Sequence, residues 1–197
     1  MQKALYLISF VLITVLSACS ETNEESTEFL NWKDRNDTYF QQIYDKATVA
    51  VKADSKQWKI IRTYSKVASV NEKPTENIVV EVLSEGTGDV APLFTDSVAI
   101  HYRGHLIPSE SYSAGYQFDS SWKGEYNLAT MAPLKAMCGS FVDGFTTALL
   151  HMREGDRWRV YIPYDLGYGI VAKSGIPAYS TLIFDLTLQK TWHPKKP

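Results

Sequence analysis

Apolar residues recur along this chain in several distinct rhythms, and each rhythm predicts an element. Ala4 to Leu16 is a nearly continuous apolar run behind one basic residue, Lys3. From Ser20 to Glu28 apolar side chains disappear, and Glu21, Glu24, Glu25 and Glu28 stand among small polar residues. Such a stretch cannot bury enough surface to order itself and reads as a solvated, acidic tether. Phe29, Trp32, Tyr39, Phe40, Ile43, Tyr44, Ala47 and Ala50 then follow helical spacing. They predict an amphipathic helix capped by Ser26 or Thr27 and ending near Asp54. Its aromatic stripe needs cover, either from the rest of the chain or from a second copy in a homodimer.

Alternation takes over after the helix. Gln57 to Tyr64 places Trp58, Ile60, Arg62 and Tyr64 on one face, and Asn77 to Leu83 alternates Ile78, Val80 and Val82 with Val79, Glu81 and Leu83. Ser97 to Leu106 directs Val98, Ile100, Tyr102 and Leu106 inward against Ala99, His101 and Arg103, the pattern of a half-buried strand. Arg157 to Ile162 and Thr181 to Leu188 repeat that period. Between them, Ser140 to Met152 carries Phe141, Val142, Phe145, Ala148, Leu149 and Met152 at helical steps and is ended by Gly155. Ile107 to Gln117 and Tyr164 to Tyr179, rich in Gly, Ser and Pro, are surface loops. Strands, one helix and more strands give an α+β fold, an antiparallel β-sheet curled around one short helix and preceded by an N-terminal helix and strand.

The chain thus divides into a leader (1–18), a tether (19–28), a helical extension with a strand (29–76), a core domain (77–190) and a tail (191–197). Hydrophobic residues at 45% supply a sizeable core, and a formal net charge of −2 gives no electrostatic reason to expect nucleic acid. Arg153, Arg157 and Arg159 alternate with apolar residues and read as a solvated sheet face. The leader is a secretory signal, too short to span a membrane. Its end, Leu16-Ser17-Ala18-Cys19, resembles the lipobox of bacterial lipoproteins. That resemblance implies cleavage before Cys19, its acylation, and a lipid-anchored place in a bacterial cell envelope, on the periplasmic or surface side. Cys138 is then a lone thiol with no local activating base, a small core filler. His101, His105, His151 and His193 lack ligand spacing, so neither a metal nor another cofactor is expected.

Six motifs occur in a fixed order: Val98-x-Ile-x-Tyr102-x-Gly104, Phe118-Asp-Ser-Ser121, Phe141-Val-x-Gly144-Phe145, Met152-x-x-Gly155, Tyr168-Gly169, and Ile176-Pro177 followed by Thr181-Leu-x-Phe184. Over roughly Asn77 to Leu188 the chain resembles FKBP-type peptidyl-prolyl cis/trans isomerases. The resemblance implies a prolyl pocket of Tyr102, Phe118, Asp119, Phe141, Val142, Phe145, Tyr168, Ile176 and Phe184, with Leu134 as a further wall. It also implies proline-containing polypeptide substrates and macrolide inhibitors. Tyr168, Asp119 and Tyr102 would be the working polar groups: the Tyr168 hydroxyl and the N–H of Val142 or Ile176 as donors, Asp119 orienting Tyr102. Asp119 also fits an Asx-type turn before Ser120 and Ser121. Phe145 stands where the family usually has Trp, which deepens the pocket. Two other readings of the same residues are a chaperone-like or scaffold binding module with little catalysis, and an envelope lipoprotein that works through its N-terminal helix.

Overall fold

In the computed structural model, which describes residues 27–68 and 70–193, the alternating runs assemble into one antiparallel sheet. The leader, Cys19, Ser26 and most of the tether lie outside the described residues, as does the end of the tail. The strands are β1 (Trp58–Arg62), β2 (Asn77–Ser84), β3 (Ser97–His105), β4 (Gln117–Ser120), β5 (Leu134–Met137), β6 (Arg157–Ile162) and β7 (Leu182–Trp192). Their order is β1-β2-β6-β7-β3-β4. β5 shares with β4 the outer edge of β3, β4 opposite Arg103–His105 and β5 opposite Ser97–Ile100. Among the described residues two α-helices accompany the sheet, α1 (Trp32–Lys52) and α2 (Asp143–Leu149).

The helices lie on opposite faces. Successive residues of a strand point to opposite sides of a sheet, and Tyr161 and Ile162 of β6 show which helix takes which side. A methyl group placed on Gly144 of α2 would come within 2.3 Å of Ile162, so only glycine lets this helix lie so close. Tyr161 faces the other way, stacked on Trp58 with ring centroids 6.4 Å apart and meeting Tyr39 of α1 at 6.5 Å. Covering both faces explains a departure from strict alternation. Ile78, Val79 and Val80 are consecutive and all fully buried, and Ala99 and His101 are buried although their period put them outside.

The aromatic stripe of α1 is spent on its own sheet: Trp32, Phe40 and Ala47 are buried in the common core. The helix begins later than its periodicity suggests. Thr27–Phe29 forms a 3-10 turn, and the cap position falls to Asn31, in the left-handed region at φ 52° with no side-chain cap bond. Two polar groups fasten α1 to the segment leading into β7. Buried Asn36 accepts the Thr181 N–H (2.7 Å) and donates to the Trp32 carbonyl (2.7 Å), while the Trp32 indole N–H donates to Ser180 Oγ (2.8 Å).

Three other boundaries differ from expectation. α2 is shorter than Ser140–Met152, because Phe141 and Val142 are extended and Cys138–Ser140 forms a 3-10 turn. β7 runs on to Trp192, two residues into the stretch read as tail, pairing Thr191 with Val98 and Trp192 with Ser97. The loop after β3 begins with two buried residues, Leu106 and Ile107, and Ile107 lies beside α1. Cys138 is fully buried, and burial pushes its thiol up to about 11. Arg159 forms a forked pair with Asp185 (2.7 and 3.0 Å) instead of standing free in solvent.

Replacing Asn36 with Ala strands the buried Thr181 N–H, so Asn36→Ala is expected to cost about 1–3 kcal/mol in urea unfolding. An unchanged midpoint would refute that role. Burial lowers the pKa values of His101 and His105, so on acidification the unfolded chain takes up protons at these side chains before the fold does. Their contribution is therefore complete above about pH 6.5 and lost as pH falls below it. The urea midpoint is expected to drop between about pH 7 and pH 5.5, and to drop less in His101→Leu.

Candidate functional site

The site begins with a glycine. On β3, Gly104 lies opposite Asp119 of β4 and Phe184 of β7. A side chain there would run into the Phe118 ring at 2.5 Å and the Phe184 ring at 2.7 Å. Its absence lets those two rings meet edge to face, with centroids 5.5 Å apart. Phe145 of α2 then rises beneath them, perpendicular to Phe184 at 4.9 Å, perpendicular to Tyr102 at 5.9 Å and tilted against Phe141 at 4.6 Å. Phe141 reaches this contact because it is extended and precedes the helix.

Tyr168 and Ile176, from the loop between β6 and β7, close the remaining side. The result is a cavity of about 460 Å³ lined by Tyr102, Phe118, Asp119, Phe141, Val142, Phe145, Tyr168, Ile176 and Phe184. All nine residues that the sequence assigned to the pocket meet there. Leu134 does not: it sits on β5, opposite Ile100, and is 39% exposed away from the cavity. The cause is the register, since β5 pairs with the far end of β3 from Gly104. Three polar residues escaped notice, Ser140, Lys173 and Ser174. Their only signal was adjacency to Phe141 and Ile176.

Polar groups are few and placed at the rim. The Tyr102 hydroxyl donates to Asp119 Oδ2 at 2.7 Å, and Asp119 Oδ1 accepts the Ser120 N–H at 2.8 Å. Asp119 Oδ1 thus bonds the N–H of the very next residue, so the Asx-type turn, which needs the N–H two residues on, does not form. That N–H, of Ser121, goes to the Tyr102 carbonyl, and Asp119 is left with the orienting role toward Tyr102. Ser121, unassigned by sequence, clamps Tyr102 by exchanging bonds with its backbone: Tyr102 N–H to Ser121 Oγ and Ser121 N–H to the Tyr102 carbonyl, both 2.9 Å. Burial, then the bond to Asp119, lifts the Tyr102 phenol well above its ordinary pKa. Burial, then the Asp119 charge, raises Tyr168 as well. Both phenols therefore stay protonated. The Tyr102 proton is engaged, whereas the Tyr168 hydroxyl has no protein hydrogen-bond partner among the described residues. The Ile176 N–H is not available as a donor, because it already bonds the Lys173 carbonyl at 3.0 Å.

Such a site can dry and grip a small apolar ring and present one or two donors beside it. It offers no nucleophile with an adjacent base. Among the described residues no group of three His, Cys, Asp or Glu side chains is placed to hold a metal ion.

Comparison with known proteins gives the same picture. The family profile described as FKBP-type peptidyl-prolyl cis-trans isomerase matches residues 88–189. A macrophage infectivity potentiator of Trypanosoma cruzi is 39% identical over 117 residues, covering 59% of this chain and 54% of that protein. The FKBP-type peptidyl-prolyl cis-trans isomerase FkpA of Escherichia coli K12 is 34% identical over 112 residues, 56% of this chain and 36% of FkpA. The chain thus matches about half or less of the length of these relatives. The crystal structure of E. coli FkpA superposes with a TM-score of 0.56 at 27% identity, covering 82% of this chain and 61% of that one. The match spans the strands and helix that enclose the cavity, and the chain belongs to the FKBP-type peptidyl-prolyl cis-trans isomerase family.

Proposed function

We propose that this chain accelerates cis/trans isomerisation of X-Pro bonds in polypeptides and so assists their folding. The observation that carries the reading is the closure of one apolar cavity over Phe145 by rings from β3, β4, β7 and the segment before α2, with hydroxyls only at its rim. Rotation about an X-Pro bond is opposed by a barrier of about 18–20 kcal/mol, because the amide is conjugated. Uncatalysed exchange consequently takes tens to hundreds of seconds. An acceleration of about 10⁴ lowers that barrier by roughly 5 kcal/mol. No bond breaks, so the protein needs only to favour the twisted amide over the planar one. The twisted amide is less dipolar and loses less on leaving water.

In this reading Phe145 is the floor for the prolyl ring, and Tyr102, Phe118, Phe141, Val142 and Phe184 are the walls. The Tyr168 hydroxyl donates to a substrate carbonyl, and the Val142 N–H is the remaining backbone donor. Asp119 holds Tyr102 upright rather than acting as a base. The same cavity suits the macrolides that inhibit this family. The sequence of residues 1–19 further supports an exported, lipid-anchored protein acylated at Cys19 and held at a bacterial envelope membrane. A homodimer through α1 would have to use its outer face, where Val49 and Val51 are exposed, because the aromatic stripe is covered.

The test is a prolyl-peptide isomerisation assay together with proline-limited refolding of a protein substrate. Wild type is expected to speed both; Tyr168→Phe, which loses one donor, is expected to lower kcat/KM about tenfold, and Asp119→Ala, which loses the bonds from Tyr102 and Ser120, at least as much. Slow refolding phases that wild type leaves unchanged, despite peptide binding, would favour a holding module instead. Because both phenols are held protonated, kcat/KM is expected to be flat from about pH 6 to pH 9. A limb in that range that disappears in Tyr168→Phe would contradict the donor role.

A further inference from the structure

Beside the prolyl pocket lies a second groove, of about 520 Å³, that no motif accounts for. Phe29 and Tyr112 form its outer edges, and Tyr116, Ile176 and Pro177 its base. Ile176 and Lys173 line both cavities, so the two share a wall. Phe29 is 39% exposed and Tyr112 44%, yet neither ring stands alone. Phe29 meets Trp32 edge to face at 5.1 Å, and Tyr112 meets Tyr116 in the same way at 5.1 Å.

The backbone that carries these rings is tied down on every side. Arg35 Nη1 donates to the Glu28 carbonyl (2.7 Å), and the Ser111 N–H donates to Glu28 Oε2 (3.3 Å), joining the segment before α1 to the loop after β3. Within that loop the Ser109 and Gly115 N–H groups both bond the Tyr112 carbonyl, at 3.0 and 2.9 Å. Ser180 Oγ, which accepts from Trp32, donates to the Pro177 carbonyl at 2.6 Å. Three separate parts of the chain thus hold exposed rings in fixed positions around a hollow. Rigid, preformed and partly apolar hollows of this size bind side chains at low entropic cost.

We propose that this groove is a second subsite, receiving an aromatic side chain of the same polypeptide whose proline occupies the neighbouring pocket. The proposal rests on reading that pocket as a prolyl site. Extended chain advances about 3.3 Å per residue, so a segment bridging two cavities that share a wall places the aromatic residue roughly two to three positions from the proline. Continuity through Ile176 makes the occupant a substrate segment rather than an independent ligand. The long loop after β3 and the turn before α1 then select among prolines by what lies near them.

The experiment uses the full chain and two labelled prolyl peptides, identical except for Phe or Ala at those flanking positions, with affinity read by anisotropy and kcat/KM by isomerisation. Wild type is expected to favour the Phe peptide about tenfold in both readouts. Tyr112→Ala and Phe29→Ala, on separate segments, are each expected to remove most of that preference while leaving turnover of the Ala peptide unchanged. A preference that survives both substitutions, or no preference in wild type, overturns the proposal. So does displacement of the Phe peptide by a synthetic peptide of residues 20–26, which would make the groove a seat for the chain's own tether. If neither peptide is isomerised but the Tyr112-dependent preference in binding persists, the subsite stands and the catalytic reading falls.

Discussion

Water must be kept away from the face of Phe145, and most of the architecture serves that exclusion. The ring is 3% exposed, held from below by α2 and from the sides by Tyr102, Phe141 and Phe184. Two of these rings, Tyr102 and Phe184, meet Phe145 edge to face, the arrangement aromatic pairs favour, and Phe141 lies tilted against it. A cavity above such a floor offers water few polar partners at its base, so an apolar ring displaces that water readily. In the proposed isomerisation, the preference for a less dipolar amide would come from this preformed apolar enclosure. Of the polar side chains in the lining, those of Tyr102, Asp119 and Ser140 are already bonded, whereas the Tyr168 hydroxyl, Lys173 Nζ and Ser174 Oγ have no protein hydrogen-bond partner among the described residues.

The sheet gains its rigidity by being covered twice. α2 fits against β6 at Gly144, and α1 covers Tyr161 and Trp58 on the other face. The N-terminal extension is consequently part of the same body as the core domain, with β1 paired along β2 from Trp58 to Arg62. Its fastenings through Trp32 and Asn36 end at Ser180 and Thr181, a few residues from Ile176. The extension thus braces the loop that forms one wall of the cavity. It also supplies one edge of the groove beside it.

Much of this was legible in the residue pattern. The strands were readable because their apolar periods are clean, and the nine pocket residues because they stand in ordered motifs. What escaped had physical causes. Alternation fails as a guide to exposure when both sheet faces are covered, which is why Val79, Ala99 and His101 are inside. Phe141 and Phe145 share helical spacing although Phe141 is extended, because the i, i+4 period alone does not say where a helix starts. Leu134 was misplaced because the register of β5 on β3 is set by pairing across a long loop, which no local pattern encodes. Ser121 and the bond between Lys173 and Ile176 are backbone-level details with no periodic signature.

The central claim is that dryness, not a reacting group, lowers the barrier. The most direct measurement is the cis/trans exchange rate of a bound prolyl peptide by NMR exchange spectroscopy, compared with its affinity, in wild type and in a folded Phe145→Ser variant that admits water at the floor. The exchange rate on the protein is expected to fall by more than the affinity does. An exchange rate that holds at the wild-type value while the cavity is hydrated would contradict the account.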